Sequence, residues 1–284
     1  MSDHRGLRPV GPVFLVGLFP GLHLELMTLL RGLATKDWNR PTACTLWSVK
    51  DIVAHLLDSC LRRLSFGRDR NESTPNRSIA SYTDLVAYLN RLNAEWIAAT
   101  RRLSPRLLMG LIDWAEPQLH QYLKSLDPHE TAVFGVAWAG EDRSPTWFDI
   151  GREYTERWLH QQQIREAVGA PGLTARQWLS PALDIFVRAL PFSYRGVVAD
   201  ANTRVEVQIG GEAGGTWTLV HSSEGWQLFV GAASDPATVV SLDQDAAWKL
   251  FSKALPPDEA RREITITGDS RLGQPFLKTL AVMA

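Results

Sequence analysis

The sequence predicts a helical N-terminal half followed by a smaller α+β half, and three observations carry that reading. Apolar residues recur at three- and four-residue intervals as far as about residue 168. The stretch Gly169-Ala-Pro171-Gly172 then ends the last long helical run. Beyond it, short segments rich in Val, Thr, Ile and Trp follow a two-residue period. At 284 residues the chain also exceeds the usual size of one compact domain, so the boundary is set near 170, dividing it into 1–170 and 171–284.

The first helix is expected from roughly Gly21 to Leu33, where Leu22, Leu26, Leu29, Leu30 and Leu33 form a core-facing stripe. Ser48 with Asp51 three residues on is the pattern of a capping box, and Trp47 is placed to staple onto Ile52, so a second helix runs from Val49 to about Phe66. Residues 68–81, rich in Asn, Ser, Arg and Pro, read as a solvated connection. A third helix follows from about Thr83 to Leu103, with Leu85, Tyr88, Leu89, Leu92 and Trp96 in register. Pro105 opens a fourth through Leu108, Ile112 and Leu119, although Pro117 challenges its continuity. After a loop from Trp138 to Pro145, the last helix of this half spans Thr146 to Val168. In the second half, Thr203–Ile209, Thr216–His221, Trp226–Val230 and Ile264–Thr267 read as strands, mainly antiparallel. Gln244–Ala254 and Ser270 to about Ala281 read as helices interleaved with them.

Composition removes several function classes. Hydrophobic residues at 45% and charged residues at 21% are the balance of an ordinary globular protein. Thirty basic against thirty-one acidic residues give no positive field for a phosphate backbone, so nucleic-acid binding is not expected. Cys44 and Cys60, the only cysteines, support neither a disulfide framework nor a thiolate zinc site, and a reducing cytoplasm is the expected compartment. The apolar segment Pro12–Phe19 is short and followed by Pro20, so neither a signal peptide nor a membrane span is expected.

The helix Thr146–Val168 carries the chemistry. At about 100° per residue, Asp149, Glu153, Glu156 and His160 fall within roughly a 60° arc beside the face of Ile150, Tyr154, Trp158 and Ile164. Carboxylates at such a margin need a counter-charge, and a Glu-x-x-x-His pair one turn apart can present an oxygen and a nitrogen to one divalent cation. A third ligand is then required, and His55 on the capped helix is the best placed. Of the other histidines, His4 is at the extreme N-terminus, His129 follows a proline and His221 lies in a strand. His23 and His120 have no carboxylate or histidine at helical-ligand spacing. The same spacing occurs in solvated helices, and a histidine bordering an apolar face can simply be hydrogen-bonded, so spacing alone leaves both readings open. Asp51 is explained by the capping box, and Asp149 and Glu153 can favour the positive end of their helix.

The run Trp47-Ser-Val-Lys-Asp51-Ile-Val-Ala-His55-Leu-Leu-Asp58, with Arg152-Glu-Tyr-Thr-Glu156-Arg-Trp-Leu-His160-Gln-Gln-Gln-Ile-Arg165-Glu-Ala167 a hundred residues later, resembles the mycothiol-dependent maleylpyruvate isomerase family within the DinB-like superfamily. In that family a Trp-initiated helix carries the first ligand histidine, and a later helix carries a Glu and a His four apart. The resemblance therefore implies a divalent metal, Zn²⁺ first and Ni²⁺ second, on His55, Glu156 and His160, inside an up-down four-helix bundle. The end of the chain, Ile264-Thr-Ile-Thr-Gly268-Asp269-Ser-Arg271-Leu, looks like the family's sterol-carrier-like α+β domain. One departure stands out, because members often carry Asp three residues after the second histidine and this chain has Gln163, an amide that keeps hydrogen bonding but drops a charge.

Three ligands leave a coordination position open, and the implied chemistry is thiol activation. An exogenous low-molecular-weight thiol such as mycothiol adds to an activated double bond of a small substrate, permits rotation and leaves, or is transferred. Neither cysteine of the chain is expected to serve as that nucleophile. Arg271, following Gly268-Asp269 and opening a helix, is the candidate cation for an acidic substrate, with an exposed arginine as the plain alternative. The competing class is a non-catalytic protein that binds a small molecule or lipid in the C-terminal domain while a metal stabilises the bundle.

Overall fold

The structure is a computed structural model that describes residues 6–71 and 79–282. His4 and residues 72–78 of the polar connection predicted over 68–81 lie outside the described residues. The chain divides into two compact units. One comprises residues 14–133 and 145–173, and the other takes residues up to 13, 134–144 and those from 174 on. No helix among the described residues is long and apolar enough to cross a membrane.

The first unit is helical: α1 (Phe19–Arg31), α2 (Val49–Arg63), α3 (Tyr82–Thr100), α4 (Pro105–Lys124) and α5 (Thr146–Val168). Pro20 sits in the first turn of α1, where a missing N–H costs nothing. The capping box of α2 forms as the sequence predicts, with Ser48 Oγ accepting from Asp51 N and Asp51 Oδ2 accepting from Ser48 N at 3.0 Å. The helix is shorter than predicted, because Leu64–Arg68 winds into a π-turn. Helix α4 runs unbroken past Pro117, which is exposed. Helices α1, α4, α2 and α5 pack in a closed ring, and α3 lies against α2. Gly169 adopts a left-handed φ of 69° and lets Ala170 N reach back to Arg165 O, ending α5 where the sequence places the stop.

The second unit is α+β. Its six strands, β1 (Arg8–Pro9), β2 (Arg204–Gly210), β3 (Gly215–Ser222), β4 (Gly225–Val230), β5 (Thr238–Asp243) and β6 (Thr265–Gly268), form one sheet in the order β1-β4-β3-β2-β5-β6. All neighbours are antiparallel except β2 and β5. Helices α6 (Arg176–Phe186), α7 (Leu190–Tyr194), α8 (Gln244–Phe251), α9 (Pro257–Glu263) and α10 (Ser270–Gly273) accompany it. Trp217 to Val220 are buried consecutively, so both faces of β3 are covered. The sequence reading misses β5, although Val239, Val240 and Leu242 carry its signal, and it misses α6, whose apolar stripe is interrupted by Pro181.

Helix α5 departs most from expectation. From Phe148 to Arg165 every residue is buried except Arg152 and Glu156, so a strongly polar helix runs through the interior. Each buried polar group must then be paired. Arg63 of α2 pairs with Asp149, and Arg152 Nη2 donates to Asp149 Oδ1 at 2.8 Å and to Glu153 Oε1 at 2.9 Å. Arg157 bridges Glu153 Oε2 at 2.7 Å and Glu116 Oε1 of α4 at 3.0 Å. Three arginines therefore supply the counter-charge for Asp149 and Glu153, where the sequence reading looked to the positive end of α5 for these two members of the acidic stripe. Only Glu156 is left over from it.

Burial opposes ionisation of Glu153, but Arg152, Arg63 and Arg157 outweigh it and hold the carboxyl down to about 2, against an ordinary 4.5. A carboxyl depressed in the folded state stabilises the fold above its unfolded value, and that stability is lost as pH falls toward the folded one. Denaturant unfolding should therefore show stability decreasing from about pH 4.5 toward pH 2, with the slope reduced in Glu153→Gln. The same substitution at neutral pH should cost about 3–5 kcal/mol, since it strands buried guanidinium charge, and a loss below about 1 kcal/mol would refute this account.

Candidate metal centre

The start of α2 and the interior course of α5 bring three side chains together. His55 lies seven residues after the cap, and Glu156 and His160 face it from α5. Their ligand atoms all lie within 4.8 Å of one another. His55 Nε2 is 2.9 Å from Glu156 Oε1, and His160 Nε2 is 3.1 Å from the same oxygen. The two imidazoles meet edge to face with centroids 4.8 Å apart. Both histidines are buried, whereas the Glu156 side chain is 28% exposed, so the cluster opens to solvent on the carboxylate's flank.

The electrostatics follow from this packing. Burial opposes ionisation of Glu156, but His160 and His55 together keep its carboxyl well below the usual range. Burial likewise works against a charged His160, yet Glu156 and Cys44 push it up to about 10. For His55 burial wins and the pKa is lowered. His55 is thus the neutral partner, donating from Nε2 to Glu156.

Two imidazole nitrogens and one carboxylate are the donor set of a catalytic zinc site, and the residues fit an ion there. His160 Nδ1 lies 2.8 Å from Gln163 Oε1, an acceptor that fixes a proton on Nδ1 and leaves Nε2 for the ion. His55 Nδ1 is buried and has no hydrogen-bond partner among the described residues, so it is free to take the proton that Nε2 would give up. Gln163 thus serves the hydrogen-bonding role foreseen for it.

Two further residues border the cluster. The Arg40–Ser48 segment closes on itself, with Val49 N bonded to Arg40 O and Thr42 Oγ1 donating to Trp47 O at 2.9 Å. It lays the Trp47 indole over His55, centroids 4.7 Å apart, and near His160 at 6.1 Å. The tryptophan read as a staple thus walls the histidines. Cys44 Sγ donates to Gln163 Oε1 at 3.3 Å, which puts this thiol beside the site, a placement that the sequence reading did not foresee. Cys60 is fully buried, and burial with Glu116 pushes its thiol well up.

Arg271 belongs to the other unit. It opens α10, its side chain is 87% exposed, and its Nη2 donates to Asp269 Oδ2 at 2.7 Å.

Comparison with known proteins gives three results. No curated protein matches the chain. Among solved structures, the mycothiol-dependent maleylpyruvate isomerase is similar at 12% identity and a TM-score of 0.49, over 83% of this chain and 86% of that one. A histidine-to-alanine mutant of mycothiol-dependent maleylpyruvate isomerase is similar at 11% identity and a TM-score of 0.49, over 89% and 91%. The family described as the mycothiol maleylpyruvate isomerase N-terminal domain matches residues 20–165, more than half of the chain and all five helical ranges that build the metal-centre unit save their outermost residues. On that match, the protein belongs to the mycothiol maleylpyruvate isomerase N-terminal domain family.

Proposed function

We propose that the protein is a metal-dependent enzyme that uses an exogenous low-molecular-weight thiol on a small electrophilic substrate, as an isomerase or a thiol transferase. The observation that carries this reading is the convergence of His55, Glu156 and His160 with one flank open to solvent. Zn²⁺ suits the donor set best and Ni²⁺ next. When bound, the ion supplies a Lewis acid that keeps a thiol ionised near neutral pH.

The chain's own residues do the rest. Gln163 holds His160 in one tautomer and orientation. Trp47 shields the two imidazoles from water on its side, so a ligand enters along Glu156. The nucleophile is proposed to come from outside the chain, Cys60 being buried with a raised pKa and Cys44 donating to Gln163 beside the site. Mycothiol as the thiol and isomerisation of maleylpyruvate as the reaction are the specific forms that the family's name suggests. A cytoplasmic location agrees with free cysteines. Arg271 is proposed to hold a substrate carboxylate, a role its exposed guanidinium suits.

One observation favours the second reading, a non-catalytic binding protein with a structural metal. The C-terminal unit has an open groove of about 820 Å³ between α6 and the sheet, lined by Pro181, Trp217 and Val230 among others. The deciding experiment titrates Co²⁺-loaded protein with mycothiol, bacillithiol and glutathione and follows a sulfur-to-metal charge-transfer band. At least one thiol should produce the band, His160→Ala should lose both metal and band, and Arg271→Ala should keep the metal while weakening turnover of an acidic substrate. Lipid binding with no spectral response to any thiol would replace this function with the carrier reading.

A further inference from the structure

We propose that Arg152 is an anion-binding residue at the mouth of the metal centre, holding the carboxylate of a ligand whose other end reaches the ion. This rests on the metal reading above and adds to it the charge and place of the group recognised.

The burial pattern of α5 locates the mouth. Between Phe148 and Arg165 only Arg152 and Glu156 reach solvent, and they stand one helical turn apart, on neighbouring positions of the same face. The only window in this stretch of helix is therefore framed by a metal-ligand candidate and a guanidinium. Arg152 is also held in place. Its Nε and Nη2 donate to Asp149 Oδ1 at 3.3 and 2.8 Å, and Nη2 donates to Glu153 Oε1 at 2.9 Å, both acids being buried. Among the described residues nothing accepts from Nη1. With Nε and Nη2 turned to buried carboxylates, the 20% of the side chain that is exposed falls to the Nη1 edge. A fixed guanidinium with one uncommitted edge recognises a carboxylate with little entropy left to lose.

The charge balance leaves recognition to the guanidinium edge. Arg63, Arg152 and Arg157 face Asp149, Glu153, Glu116 and Glu156, so a divalent ion on neutral histidines leaves one positive charge in excess, which a thiolate on the ion would already neutralise. A carboxylate at the mouth is therefore held by the Nη1 edge and not by net charge. The carboxylate can belong to the thiol or to the electrophile, and both would meet the same Nη1 edge.

The test uses the Co²⁺-loaded full-length protein and two thiols of similar size, mercaptoacetate with a carboxylate and 2-mercaptoethanol without one, with affinities read from the charge-transfer band. Maleate added to the 2-mercaptoethanol-loaded protein reports a carboxylate on the electrophile instead. In the wild type, mercaptoacetate should bind about tenfold or more tighter than 2-mercaptoethanol, or maleate should bind and shift the band. Arg152→Gln should erase that effect, with metal content and 2-mercaptoethanol affinity measured alongside because Arg152 also pairs with Asp149 and Glu153. Arg152→Lys, which keeps the charge those acids need, should lose most of it while metal content and 2-mercaptoethanol affinity stay within about twofold. An undiminished preference in both variants would assign it to chelation by the ion and overturn the proposal, as would a wild type indifferent to both carboxylates. A wild-type protein that takes up no cobalt overturns the metal reading and this one with it, whereas cobalt uptake without a carboxylate effect overturns this one alone.

Discussion

The requirement that a polar helix be buried governs the helical unit. Helix α5 carries Asp149, Glu153, Arg157, His160, Gln161, Gln162, Gln163 and Arg165 through the interior, and each would cost several kcal/mol if left without a partner. The neighbouring helices are chosen to meet them. Arg63 comes from α2 and Glu116 from α4, while α1 offers the Leu22 carbonyl to Gln161 and the Glu25 carboxylate to Arg165. Apolar packing alone would let α5 rotate or slide. These paired groups allow one rotation and one height.

That fixed setting is what a metal centre needs. Ligands for an ion must be held within about half an ångström of the productive geometry, and loops seldom manage this. Here Glu156 and His160 inherit their placement from the ion-pair ladder one turn before them, and His55 inherits its own from a capped helix start. The site thus depends on pairs buried behind it. Arg157 touches Glu153, Glu116 and Cys60, and through them it holds α5 against both α2 and α4.

Much of this architecture was legible in the residues. The capping box at Ser48 and the stop at Gly169 are local signals and appear where the sequence puts them, whereas the strands resume only at Arg204, after α6 and α7. The Glu156–His160 pair is also local, since i and i+4 must share a face. What the sequence could not reveal is which partner answers which charge. Arg63 and Glu116 are distant in sequence from Asp149 and Arg157, and no spacing rule links them, so the salt-bridge ladder that takes up Asp149 and Glu153 stays hidden. Cys44 and Trp47 were hidden for the same reason, because only the fold of their loop brings them to the histidines. Strand β5 and helix α6 were missed differently, their signals being short or broken by a proline.

The strand order also sets a timetable. Strand β1 pairs Arg8 with Val230, so it closes the sheet on a strand made 222 residues later. At about 5–20 residues per second, β1 waits roughly 10–40 s for its partner. The helical unit, complete once residue 173 is made, has its whole sequence available within that interval. Until β1 arrives, β4 carries an unpaired edge, with Phe229 beside it and only a two-residue strand to cover it. Sheet closure is therefore a late step in the birth of this protein, and the nascent chain must keep β1 within reach.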